Sequence, residues 1–167
     1  EEVIMDDEKS VSRFRLWFVE PIEKLKELPD GAGGFIAFMV GLALYERLIV
    51  AKLKVDNYPM DDQTIQHAIA DDLKLSDTQR RIFWDMLRNG LLHQAMPKVG
   101  KTGCIFHHTF SEYPEFKSLN GASVICIDPW KFTNRVLDEF LSSPILISAS
   151  ESYPIALIAP IPFEKLE

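Results

Sequence analysis

The sequence predicts a mainly α-helical fold, a four- to five-helix up-and-down bundle with a small antiparallel β addition near the C-terminal third. Three observations predict it. Apolar residues recur at spacings of three and four from Phe14 to Leu91. A capping box marks a helix start at Ser76 and Gln79. The periodicity then switches to two between Cys104 and Phe110.

Composition sets the frame. The chain has 167 residues and 47% of them are apolar, enough for one real core. That excludes disorder throughout. Two cysteines exclude a disulfide-built scaffold. The net charge of −7 argues against a generic basic coat for nucleic acid. The longest uninterrupted apolar run, Gly34 to Tyr45, falls short of the roughly 18 to 20 residues of a membrane span. The opening residues show no charged n-region with an apolar h-region and cleavage site, so a secretory leader is not expected. The expectation is a cytoplasmic protein with free thiols and no membrane partner.

Residues 1–10 carry five acids and one lysine, and this composition predicts a flexible acidic arm. A helical domain is expected over 11–143. Its first helix runs from Phe14 to Leu28 on Phe14, Trp17, Phe18, Ile22 and Leu25, with Pro21 kinking it or marking its start. Leu28-Pro29-Asp30-Gly31 stops it. The next helix, from about Gly34 to Leu53, is apolar on nearly every face and so belongs at the centre of a bundle. Asp56 to Pro59 ends it. A shorter helix covers Asp62 to Leu73. The helix capped by Ser76 carries Ile82, Phe83, Met86, Leu87, Gly90 and Leu91 on one stripe, and Pro97 closes it.

A two-stranded insertion is expected at about 103–127, with Val124 to Ile127 following an Asn120-Gly121 turn. Asp128-Pro129 is a helix start, and Phe132, Val136, Leu137, Phe140 and Leu141 carry that helix. Residues 144–167 are apolar and proline-rich. They read as short strands or an extended segment packing on the domain or on a partner. His107 and His108, as neighbours on a strand, are expected to face opposite ways. With Cys104 and Cys126 they match no trusted zinc spacing. No metal and no cofactor is expected.

One short motif carries chemistry: Arg88-Asn89-Gly90-Leu91-Leu92-His93. Arginine holds a phosphate oxygen through its planar fork. Histidine titrates near neutrality and moves protons. On an α-helical wheel, Phe83, Met86, Leu87, Gly90 and Leu91 face the core. Arg81, Asp85, Arg88 and Leu92 point nearly the opposite way. Asn89 and His93 share a flank, and His93 leans toward the core. Asn89-Gly90 in mid-helix costs about 1 kcal/mol or more against good helix formers, and such rule-breaking gathers at sites. The stretch from Arg80 to Lys101 holds five basic residues and one acid, as a phosphate site requires. About 0.17 matches to the Arg–His spacing are expected by chance, and about 0.02 with Asn, Asp or His required after the arginine.

This motif, on a late helix of a bundle, resembles the signature of the HEPN superfamily. The resemblance covers about Phe14 to Pro97, together with the helix after Asp128. It implies a metal-independent endoribonuclease, in which the ribose 2′-OH attacks the adjacent phosphate. It implies a homodimer with two motifs facing each other across one cleft. It implies a role in toxin–antitoxin systems, defence or RNA turnover, with an antitoxin or regulatory protein as a possible partner. The implied catalytic residues are Arg88, His93 and Asn89. Arg81 is expected to widen the phosphate site. Asp85 is expected to hold Arg88, or to be an ordinary helix pair. Glu46 follows the apolar run where some members carry an acidic site residue; its ordinary reading is a surface ion pair. Trp84 is either packing or a platform for a base. Two rival readings stand beside this one. The first is a non-catalytic HEPN-like module binding a nucleotide or protein, with an intact fold but an occluded or misaligned motif. The second is a helical interaction protein.

Overall fold

The computed structural model describes residues 2–98 and 100–150, with side chains from residue 8 onward. The described residues form six helices and one small sheet. Helix α1 spans 2–25. It is α-helical over Glu2–Phe14, π-helical over Arg15–Val19 and α-helical again over Glu20–Leu25. Where the acid-rich composition predicts a flexible arm, the chain is helical from Glu2. Acids near a helix N-terminus suit its dipole, and the buried Ser10 and Phe14 anchor the segment. Pro21 does not break the helix. Its ring clashes with the carbonyl four residues back in an α-helix, and the π turn just before it widens the ladder there.

A 3₁₀ turn at Pro29–Gly31, with Asp30 and Gly31 at positive φ, reverses the chain. Helix α2 (Gly33–Val55) follows and is the centre of the fold. Its Phe38, Leu42, Tyr45 and Leu48 are almost wholly buried. Taken whole, α2 is long and apolar enough to cross a membrane, with a mean hydropathy of 1.8 over its best window. However, 56% of that window is buried against the rest of the protein. Helix α3 (Asp62–Asp72) is capped by Asp61, which accepts from the Thr64 N–H. Helix α4 spans 77–94. It is α-helical over Asp77–Phe83, π-helical over Trp84–Asn89 and α-helical over Gly90–Gln94. The predicted capping box is present, with Ser76 and Gln79 bonded reciprocally.

The β addition is a three-stranded mixed sheet, in the order β1-β3-β2, rather than an antiparallel pair. Strands β1 (Thr102–Phe106) and β3 (Ala122–Ile127) run parallel, while β2 (Glu115–Leu119) and β3 form a hairpin. Asn120 and Gly121, both at positive φ, make its two-residue turn. β2 escapes the apolar pattern because it is a half-exposed edge strand reading Glu-Phe-Lys-Ser-Leu. Phe106 packs edge-on against Phe35 and Phe38 of α2. Cys104 pairs in register with Ile125 and Cys126 with Ile105, so the two thiols point to opposite faces. Burial pushes the Cys104 thiol up to about 12, which keeps it protonated. His107 and His108 lie just past β1 rather than on it, and their rings sit 4.2 Å apart.

Helix α5 (Pro129–Ser142) starts on Asp128, whose carboxylate accepts from the Trp130 and Lys131 N–H groups. It packs closely on α2. Thr133 donates to the Ala37 and Pro129 carbonyls, and a Cβ on Gly41 would lie 2.5 Å from the Thr133 hydroxyl. Pro144–Ser150 forms a short helix α6, not an extended segment. Proline is well placed in a first helical turn, and Leu146 and Ile147 are buried in the core. The rest of the proline-rich end lies outside the described residues.

Candidate functional site

The motif falls on the π-helical stretch of α4. A π turn takes more residues than an α turn, so every side chain after its start is rotated from the α-helical wheel. Arg88 therefore turns inward, not away from the core. Its Nε and Nη2 donate to Oε2 of Glu46 on α2, at 3.1 and 2.6 Å. Its Nη1 donates to Oδ1 of Asn89 at 2.8 Å. Its guanidinium carbon lies 5.0 Å from the Trp84 ring centroid. The pair is half-buried, with 22% of the Arg88 and 33% of the Glu46 side chain exposed. Three guanidinium N–H groups are thus used, and two of the five are left for an anion.

His93 is rotated the other way. It is exposed on the last turn of α4, not leaning toward the core. Its side chain makes no hydrogen bond among the described residues, with Asn89 or any other. Four residues separate it from Arg88 along the helix.

The structure brings Glu46, Trp84, Arg88 and Asn89 together. It does not bring Arg81 or Asp85 to Arg88. Arg81 pairs with Asp77 at 2.7 Å and is 72% exposed. Asp85 binds the ammonium of Lys98 at 2.5 Å. That hydrogen bond, with the lysine charge and the Asn89 side chain adding to it, holds the Asp85 carboxyl below its usual range.

Lys98 was not legible as a site residue, yet its place is tightly set. The chain turns at Ala95, which is left-handed with φ 56°, and runs back along α4. The Lys98 N–H donates to the Met86 carbonyl inside the π segment at 3.0 Å. A Cβ on Gly90 would lie 2.6 Å from the Lys98 nitrogen and 2.7 Å from the Met96 carbonyl oxygen. Glycine at 90 thus serves the close approach of two backbone segments. That glycine, seven residues before Pro97, was the available signal. Gly90→Ala is expected to cost about 1–3 kcal/mol through overpacking, despite alanine's better helix propensity. Urea unfolding checks this, and an unchanged or raised midpoint would refute the packing account.

A second polar cluster joins α2, α3 and α5. The Tyr45 hydroxyl donates to Asp72 at 2.9 Å, and Arg135 donates to Asp72 and Glu139 at 3.1 and 3.0 Å. Lys52 also pairs with Glu139. Burial, with the Asp72 charge, raises the Tyr45 pKa and keeps its hydroxyl a donor. The Nε and Nη2 of Arg135 are buried without a hydrogen-bond acceptor among the described residues, and its guanidinium lies 4.9 Å from the Tyr113 ring centroid. An open hollow of about 510 Å³ beside Arg135 is lined by Asp138, Glu139 and Glu112 among others. Its arginine is committed to an internal network, so this cluster ties helices together. Among the described residues, no three His, Cys, Asp or Glu side chains gather as a metal set.

No family model, no curated protein and no solved structure matches this chain.

Proposed function

We propose that this protein is a metal-independent endoribonuclease of the HEPN type, working as a homodimer. The observation that carries the reading is the pairing of two opposite side-chain states on one helix. Arg88 is held on three sides by Glu46, Asn89 and Trp84, while His93 five residues on is exposed and unbonded among the described residues. A fixed cation and a free imidazole are what phosphoryl transfer to an internal hydroxyl needs. The π turn beneath them agrees, since such turns recur at functional sites.

In this mechanism His93 takes the proton from the ribose 2′-OH. The 2′-oxygen forms a bond to phosphorus, and the bond from phosphorus to the 5′-oxygen breaks. The partner subunit's copy of the motif, across the cleft, returns a proton to that leaving oxygen. Arg88 uses its two remaining N–H groups on the negative charge that builds at the phosphorus centre. The products are a 2′,3′-cyclic phosphate and a 5′-hydroxyl. The role follows the resemblance: a toxin, a defence nuclease or an RNA-turnover enzyme, under an antitoxin or regulatory partner, in the cytoplasm.

One observation favours the rival reading, a binding module without catalysis: Glu46 already neutralises Arg88. The deciding experiment is incubation of the purified protein with end-labelled single-stranded RNA in EDTA. Cleavage leaving cyclic phosphate ends is expected. RNA bound but left intact would overturn the enzyme reading in favour of the module.

A further inference from the structure

We infer that Lys98 is a second phosphate-binding residue beside Arg88, so that the ligand of this site is an RNA strand offering neighbouring phosphates rather than a mononucleotide. The inference rests on the ribonuclease reading. Its grounds are structural. The backbone of Lys98 is fixed to the motif turn by its bond to the Met86 carbonyl and by the gap at Gly90. Its position relative to α4 is therefore set by main chain and does not depend on its side chain. The ammonium reaches Asp85, one helical turn before Asn89, and Asn89 in turn accepts from Arg88. Two cations thus flank one turn of α4. Each rests on a carboxylate, Arg88 on Glu46 and Lys98 on Asp85.

The two pairs differ in kind. Arg88 is clamped and mostly buried. Lys98 and Asp85 are 37% and 65% exposed, and exposed pairs contribute little. A phosphate exchanges readily for Asp85 on the lysine. An ammonium is a point charge without directional demands, suited to a neighbouring phosphate that is held but not reacting.

The test is binding of a short labelled single-stranded RNA, 2′-O-methylated throughout so that it lacks the nucleophile, to the full chain across a salt series. Fluorescence anisotropy reads the affinity. Lys98→Gln is expected to weaken binding about 5-fold and to lower the salt slope by about 0.7, one phosphate contact on a single strand. Lys24→Gln, on the exposed face of α1, is expected to leave both unchanged. Asp85→Asn is expected to strengthen binding, and that gain is expected to vanish when Lys98→Gln is added. If Arg88→Gln weakens binding while Lys98→Gln matches the parent, the Lys98 inference fails and the ribonuclease reading stands. Equal losses in Lys98→Gln and Asp85→Asn also overturn it, because they mark the pair as structural. If Arg88→Gln has no effect either, the reading beneath it fails as well.

Discussion

His93→Ala is expected to lower RNA cleavage by about 10²- to 10⁴-fold, the usual contribution of a general acid or base. The fold is expected to be untouched. His93 is exposed and unbonded among the described residues, and surface changes away from special features stay within about 0.5 kcal/mol. This separation makes the experiment sharp. A variant that keeps its urea midpoint and loses cleavage places the chemistry on the imidazole itself. His93→Gln keeps hydrogen-bonding capacity without a titratable ring, so it is expected to be as inactive as the alanine variant. A dimer mixed from parent and variant chains adds a second readout: if the two motifs share one cleft, mixed dimers cleave more slowly than parent dimers. Cleavage by His93→Ala at the parental rate would sink the mechanism whatever the fold.

Arg88→Ala is expected to lower kcat by about 10²- to 10³-fold, as removal of a donor to a developing oxyanion does. Arg88→Lys is expected to fall between, because it keeps the charge and loses the fork. Unlike His93, Arg88 also holds structure. Its loss leaves Glu46 unpaired and removes the stack on Trp84, at a cost of about 1 kcal/mol for a partly buried pair. The two effects are separable. Adding Glu46→Gln to Arg88→Ala removes the orphaned carboxylate, so it is expected to restore stability and not activity. Urea midpoints and single-turnover rates on the same four proteins check this. A double variant that regains cleavage would show that Arg88 acts only by supporting the fold.

Much of the fold is written locally. The Ser76 and Gln79 capping box, the Asp128-Pro129 start, the apolar α2 and the Asn120-Gly121 turn are all where their residues predict them. Each is decided within a few residues by hydrogen bonding, by fixed φ or by periodic burial. The misses share a cause. β2 carries no apolar alternation because one side of an edge strand meets water. α6 reads as an extended proline-rich segment until Leu146 and Ile147 find buried places in the core. Glu46 was legible only through the resemblance, and its contact with Arg88 spans 42 positions.

The sequence by itself determined which residues carry the candidate chemistry and that they lie on one capped helix of a mainly helical fold. Caps and periodicity are local properties, and Arg88, Asn89 and His93 needed no distant partner to be noticed. Only the tertiary structure decided which way those side chains point. The wheel sends Arg88 outward and His93 inward, and the structure does the reverse. The physical reason lies in the chain that returns after α4. Gly90 leaves room for residues 96–98, and Lys98 donates its N–H to Met86. That bond, with the Glu46 carboxylate waiting on α2, accompanies a π turn where periodicity assumes an α turn. A helix's register past such a turn depends on what packs against it, and that is not a local property of the sequence.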